Sequence, residues 1–261
     1  MEIDTPSQQA ASSKCACPVC EKTALIYDVV DLNKSCSESW GAHLRLTGIP
    51  IYYHRCISCG FTFAAEFQDW PSERFLSQIY NDDYINVDPD YISKRPLSNA
   101  DFVGKLFNDQ RSVIRHLDYG GGNGLLSAKL GELGWDSRTY DPFPSNDLEL
   151  SSLGKFNLIT AFEVFEHVPD VRDLMSNLTS LMDEECVVIF STLLSDDYIQ
   201  SKGRLNWWYA SPRNGHISLF SKKSLVELAN LHGLEFGSFN TGLHCFFNRL
   251  PDWAAKLMGQ Q

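Results

Sequence analysis

The sequence predicts an α/β domain built on a mostly parallel sheet, preceded by a small ribbon held by a metal ion. Three observations carry this. The apolar run Val113 to Leu117 opens onto Asp118-Tyr119-Gly120-Gly121-Gly122-Asn123-Gly124, and Leu125, Leu126, Ala128, Leu130 and Leu133 follow; the stretch reads as strand, glycine turn and helix. From residue 113 to 233 strand-like and helix-like segments alternate, and strands joined through helices lie parallel, with helices on both faces of the sheet. Ahead of residue 60 stand two Cys-x-x-Cys pairs, Cys17-Pro18-Val19-Cys20 and Cys56-Ile57-Ser58-Cys59. Each pair can place two thiolates on one tetrahedral ion.

Taken in order, residues 1–14 are polar and expected to be disordered. Residues 15–65 form the ribbon, with strands over 24–32 and 49–55, the second continued by Phe61-Thr62-Phe63. Cys17, Cys20, Cys56 and Cys59 are its metal ligands, zinc in a structural role, and Cys15 and Cys36 are possible substitutes. Paired knuckles in a reducing compartment fit a metal better than disulfides or a redox pair. Cys186 and Cys245 read as small buried hydrophobes. Residues 66–95 are a connecting or lid segment, aromatic and acidic, in which Tyr80 and Tyr84 stand four apart and can share one apolar helix face.

The main domain runs over 96–261. A helix over 97–112 leads into the first strand, and the second strand ends at Asp141. Leu158 to Phe162 is a short apolar run suited to a buried strand, and Pro169-Asp170 marks entry to a helix whose apolar positions are Val171, Leu174, Leu178 and Leu181. Cys186 to Leu194 supplies a central strand. A helix capped by Ser221 runs to a stop at Gly233, and 235–239 with 244–250 form a closing antiparallel pair.

Acidic residues number 33 against 22 basic ones, a net charge of −11 with no basic run. That balance argues against nucleic acid or an anionic membrane as partner. With no long apolar stretch and a polar N-terminus, the chain is expected to be soluble and cytoplasmic. Its partner is expected to be a small-molecule acceptor. Oligomeric state leaves no mark on the sequence.

The glycine turn carries the functional reading. Its backbone N–H groups can approach a ligand closely, and the helix that follows adds unpaired donors and a partial positive charge. Asp141, about twenty residues on at a strand end, is placed to accept hydrogen bonds from ribose hydroxyls. The dinucleotide fingerprint wants a small residue where Leu125 stands, which counts against a nicotinamide-dependent sugar enzyme. The spacing is Asp-x-Gly-x-Gly-x-Gly. Together with Asp141 and the segment Glu163-Val164-Phe165-Glu166-His167, it resembles class I S-adenosylmethionine-dependent methyltransferases.

That resemblance implies a Rossmann-like sheet of seven strands and a cofactor site made by Asp118, Tyr119, Gly120, Gly121, Gly122, Asn123, Asp141, Pro142, Phe162, Glu163 and His167. Relatives with an N-terminal zinc domain lay a tyrosine-bearing segment over the cofactor, a role for which Tyr80 and Tyr84 are candidates. Methyl transfer asks the protein for positioning and, for some acceptors, a base. His167, Glu166, His216 and Tyr209 are the candidates for catalytic work, His167 and His216 as bases or as scaffold. Trp207, Trp208 and Tyr209 offer either an aromatic platform for the acceptor or a lid's own core. Arg204 and Arg213 can neutralise an anionic acceptor. Methyltransferases that share the double knuckle include enzymes acting on carbon atoms of nucleotide-linked deoxysugars. A sugar or nucleotide-sugar acceptor is therefore the first expectation; this sequence is much shorter than those enzymes, which carry a further C-terminal domain, and transfer to oxygen or nitrogen stays open. The rival readings are a non-catalytic cofactor-binding interaction protein and the nicotinamide enzyme.

Overall fold

A computed structural model describes residues 13–142, 149–200 and 203–258 of the 261-residue chain. The strands are β1 (Lys14–Ala16), β2 (Thr23–Asp31), β3 (Pro50–Cys56), β4 (Thr62–Ala64), β5 (Arg115–Tyr119), β6 (Asp136–Tyr140), β7 (Phe156–Ala161), β8 (Met182–Ser191), β9 (Ser218–Leu219), β10 (Glu235–Ser238) and β11 (Leu243–Phe247). The helices are α1 (Ser72–Gln78), α2 (Tyr84–Val87), α3 (Lys94–Leu106), α4 (Leu125–Glu132), α5 (Val171–Leu181), α6 (Lys222–Leu231) and α7 (Asp252–Met258). Residues 1–12 of the expected disordered terminus lie outside the described residues, and Lys14 already opens β1.

The larger sheet has the order β10-β11-β8-β7-β5-β6. Pairings among β6, β5, β7 and β8 are parallel, while β11 runs antiparallel to both β8 and β10. In place of the expected seven mostly parallel strands, the described residues form a mixed sheet of six. Between β6 and β7 they give a single 3-10 turn, Leu150–Ser152, with residues 143–148 outside the description.

Local chemistry sets the helices. The Asp170 carboxylate accepts from the Arg172 and Asp173 amides, and α5 buries the stripe Val171, Leu174, Met175, Leu178 and Leu181. Ser221 and Ser224 cap each other reciprocally at the start of α6. The helix expected over 97–112 begins earlier, at Lys94, and ends at Leu106. Ala100 and Val103 are its buried residues and Phe107 is buried just past its end, while the apolar side chains of Leu97, Phe102 and Leu106 stay partly exposed.

The second sheet, β1-β2-β3-β4-β9, is antiparallel throughout, and its last strand comes from the far part of the chain. Thr62 pairs with Leu219 and Phe63 with Ser218. The ribbon therefore has no core of its own. Phe61 and Phe63 share a cluster with Phe165, Phe190 and Phe220, and the Phe61 and Phe220 rings lie 4.9 Å apart. Burying an aromatic side chain of this kind contributes about 1.5–3 kcal/mol. No helix among the described residues is long and apolar enough to cross a membrane.

Candidate functional site

Three strand ends converge. Gly120 follows β5 with φ +72, and its amide donates to the Tyr140 carbonyl at 2.7 Å. A Cβ on Gly121 would come within 2.3 Å of Thr139 Oγ1 and 2.4 Å of Asp118 Oδ2, so only glycine lets the turn lie this close to β6. The Gly122 amide donates to Asp141 Oδ2 at 2.8 Å. Asn123 spans outward, with its amide donating to the Ile92 carbonyl at 2.9 Å. Tyr119 is buried against Tyr140, and Pro142 is exposed just past Asp141.

Asp118 is buried and tied into a chain of polar contacts. Thr160 Oγ1 donates to Asp118 Oδ1 at 2.8 Å, and His116 Nε2 lies 3.0 Å from the same hydroxyl. Since Thr160 gives its proton to the carboxylate, its oxygen accepts from His116 Nε2–H, and Ser137 Oγ meets Nδ1 at 2.8 Å. Burial, helped by the nearby Asp141 charge and opposed by the Thr160 bond, pushes Asp118 up to about 7. Burial brings His116 down to about 3.

Glu163 caps β7 in a left-handed conformation, φ 54, unusual for a residue with a side chain. Ser191 Oγ fixes it from both sides, accepting from its amide at 2.8 Å and donating to its Oε1 at 2.9 Å. Arg95 of α3 stands 3.9 Å from Oε2 and pairs with Asp88. A cavity of about 240 Å³ opens here, lined by Arg95, Asn99, Phe102, Phe162, Glu163 and Ser191. Phe162 thus faces the cavity beside Phe102, at 6.3 Å between rings.

Glu166 and His167 sit on the 3-10 turn Phe165–His167. Glu166 is fully buried; Tyr209 Oη donates to Oε1 at 2.5 Å. Its Oε2 finds no hydrogen-bond partner in ordinary geometry among the described residues, although the Thr192 hydroxyl stands near enough to favour the charge. Burial first and the Glu163 charge second push Glu166 up to about 8. His167 Nδ1 lies 3.1 Å from Tyr80 Oη, and the His167 and His216 rings stand 4.9 Å apart. Burial, then the Arg95 charge, hold His167 down to about 3; burial and its histidine neighbour keep His216 well below its ordinary value. Bases this weak take little proton density at neutral pH, which favours scaffold over base for both.

The remaining candidates divide. Tyr84 is buried and donates to the Asn214 carbonyl at 3.2 Å, while its ring meets Tyr80 edge-on. Trp207 and Tyr209 are buried in the cluster of Phe67, Phe75 and Tyr53, and Tyr198 stacks on Trp207 at 4.8 Å. The aromatic triplet is thus largely a core. Arg213 donates to the Ile79 carbonyl at 2.6 Å and to Asn81 at 3.2 Å, a clamp on the connecting segment. Arg204 pairs with Asp28 of β2 at 2.9 Å, away from the cavity.

At the ribbon tip the four knuckle thiols lie together, with Cys17 and Cys59 sulfurs 3.6 Å apart and Cys20 and Cys56 3.5 Å apart. Thiolates on a tetrahedral zinc stand about 3.8 Å apart, given a Zn–S length near 2.3 Å. The Ser58 and Cys59 amides both point at Cys56 Sγ, each at 3.4 Å, as amides do toward a thiolate. The donor set fits zinc. Cys15 and Cys36 lie outside it, Cys36 at 3.7 Å from His216, and Cys186 and Cys245 are buried. Arg95, Ser191, Thr160 and His116 were missed from sequence, because their roles rest on contacts between segments and no local motif marks them.

A family model described as a methyltransferase domain matches residues 91–237. Among curated proteins, the ubiquinone biosynthesis O-methyltransferase of Azorhizobium caulinodans is 31% identical over 113 residues, covering 33% of this chain and 45% of that protein. The chain therefore spans less than half the length of that relative in the match. Among solved structures, an O-methyltransferase family protein from Burkholderia thailandensis is 12% identical with TM-score 0.41, covering 72% of this chain and 71% of the other. The magnesium protoporphyrin IX methyltransferase of Synechocystis PCC 6803, solved with bound S-adenosylmethionine, is 17% identical with TM-score 0.39, covering 69% and 92%. Likenesses this distant carry no argument of their own.

Proposed function

The chain belongs to the methyltransferase domain family, and from that premise we propose that it transfers a methyl group from S-adenosylmethionine to a small-molecule acceptor. The observation that carries this reading is the meeting of Asp118, Asp141 and Glu163 at the ends of three adjacent strands, around a glycine turn too tight for a side chain at Gly120 and Gly121. When bound, the cofactor supplies an electrophilic methyl on sulfur.

The chain's own residues do the rest. Gly120 to Asn123 present backbone donors at the start of α4, and Asp141, now holding the Gly122 amide, is placed to accept ribose hydroxyls. Phe162 and Phe102 give the cavity apolar walls that exclude water, and Glu163 is fixed by Ser191 beside them. On the far wall, Tyr80, Glu166, His167, Tyr209 and His216 position the acceptor. Zinc on Cys17, Cys20, Cys56 and Cys59 would hold the ribbon, which braces this wall from outside: Tyr53 Oη of β3 donates to the His216 carbonyl at 2.6 Å. For the acceptor, a sugar-like hydroxyl compound is our first class. The name of the Azorhizobium relative supports oxygen as the atom methylated.

Calorimetric titration of the full chain with S-adenosylmethionine tests the first half of this reading; absent binding sinks it. Incubation with methyl-labelled cofactor and a metabolite extract of the host, followed by identification of the labelled product, tests the second. Failure to label anything while the cofactor binds would favour a binding protein.

A further inference from the structure

Beside the cavity of the proposed methyl transfer, the residues proposed to position the acceptor also form a cluster of metal-ligating groups. Glu166, His167 and His216 each offer a ligand atom, and these atoms all lie within 4.8 Å of one another. A cation bound at about 2.1 Å to each would draw them to some 3.0–3.5 Å apart. Two segments distant in sequence build the cluster. Glu166 and His167 follow β7, whereas His216 follows Gly215 (φ 84), whose Cβ would meet Tyr80 Oη at 2.5 Å and His167 Nδ1 at 2.9 Å. Register is fixed by backbone bonds: Ile217 donates to the Glu166 carbonyl at 2.9 Å, and Ala64 of β4 donates to the Ile217 carbonyl at 2.9 Å.

The individual donors are prepared for a cation. His216 Nδ1 lies 2.9 Å from the Tyr209 carbonyl, and since a carbonyl only accepts, Nδ1 carries the proton and Nε2 keeps its lone pair. Metal-bound histidines are oriented in this same way, by a backbone carbonyl on the other ring nitrogen. Tyr80 holds the His167 ring through Nδ1. Tyr209 occupies Glu166 Oε1 and leaves Oε2 buried, with the Thr192 hydroxyl nearby but no hydrogen-bond partner in ordinary geometry among the described residues. A buried carboxylate oxygen in that state is costly unless something positive meets it.

We propose that Glu166, His167 and His216 form a second metal site, separate from the cysteine cluster, that takes a divalent first-row transition cation such as manganese, iron, cobalt or zinc. Two imidazoles and one carboxylate select these ions over magnesium or calcium, which prefer oxygen ligands throughout. Three protein ligands leave positions open for water or another oxygen donor. Glu163, engaged by Ser191 and φ-strained, stands outside the three. Cation binding is independent of whether methyl transfer occurs.

The test uses the full chain with its cysteine site filled by zinc, titrated with cobalt(II). The expected result is one further equivalent bound, seen as visible d–d bands without the intense thiolate charge-transfer absorption that displacement at the cysteines would give. Glu166→Gln and His216→Asn, checked for folding by thermal melts, should each weaken that equivalent at least about tenfold. No further equivalent in the wild-type chain overturns the proposal, as does thiolate-type absorption only, or undiminished affinity in either folded variant. If neither variant folds, the wild-type spectrum alone decides between these outcomes.

Discussion

The wall proposed to hold the cofactor, around the glycine turn, is assembled inside one stretch, Asp118 to Asp141, whereas the wall proposed to face the acceptor draws Tyr80, Glu166, His167, Tyr209 and His216 from three stretches that meet only in the fold. On the first wall, neighbours in space are β5, the turn, α4 and β6, joined by short connections. On the second, a strand pair between β4 and β9 ties the ribbon to the chain segment bearing His216. The difference teaches where each half is vulnerable: the proposed cofactor wall to local changes of shape, the proposed acceptor wall to anything that loosens the ribbon.

The largest expected effect follows from taking away the ribbon's metal. Structural zinc in small domains supplies of order 10 kcal/mol of folding free energy. Replacing Cys17 and Cys59 with serine should remove about one zinc per chain and unfold β1 to β4, read by metal analysis and circular dichroism. Because β9 loses its partner, amides from 216 to 219 should lose protection against hydrogen exchange. Affinity for S-adenosylmethionine should stay within a few-fold. A collapse of both together would show that the two walls fold as one unit and break the comparison.

Single side chains should separate the walls more finely. Asp141→Ala should weaken cofactor binding by about 1.5–3 kcal/mol, the worth of a charge-assisted hydrogen bond, and barely move the melting temperature. Tyr209→Phe should do the reverse: it strips Glu166 Oε1 of the Tyr209 hydroxyl, destabilising the chain by about 1–3 kcal/mol while cofactor affinity holds. Calorimetric titration and thermal unfolding of both variants check the pair. Crossed outcomes, with Tyr209→Phe losing the cofactor, would put the tyrosine on the wrong wall.

The same contrast explains what was legible. The turn, Asp141, the strand under Leu158, the stripe of α5 and the paired cysteines all announce themselves within a few residues of sequence, since their physics is local. The closing antiparallel pair was legible as β10 and β11, but the join of β11 to β8, the fifth strand of the ribbon and the clustering of His216 with Glu166 depend on pairings more than 40 residues apart, such as Phe63 with Ser218. Phe102 illustrates the limit of spacing arguments: it sits at a helical apolar position, yet it lines the cavity instead of the core. Arg213 illustrates another, since a lone arginine near a site reads as an anion receptor and is here spent on the Ile79 carbonyl.

The smallest effect in the unaltered chain is the net pH dependence of two opposed groups beside the glycine turn, His116 and Asp118. His116, held down to about 3 by burial, gives stability that is complete above its unfolded value of about 6.5 and lost as pH falls, since only the unfolded chain takes up the proton. Asp118, raised to about 7 by burial, gives stability that is complete below about 3.9 and lost as pH rises, since only the folded chain keeps the proton. Between about pH 4 and 6.5 the two slopes, each about 1.4 kcal/mol per pH unit, oppose and largely cancel. Removing one group should therefore expose the other. Relative to wild type, His116→Asn should lose stability as pH rises through that window, and Asp118→Asn should gain it, measured by denaturant unfolding at several pH values. Variants whose curves run parallel to wild type would mean that the Thr160-linked pair already shares one proton in the unfolded ensemble or is open to solvent, and the cofactor wall would then be less closed than its burial implies.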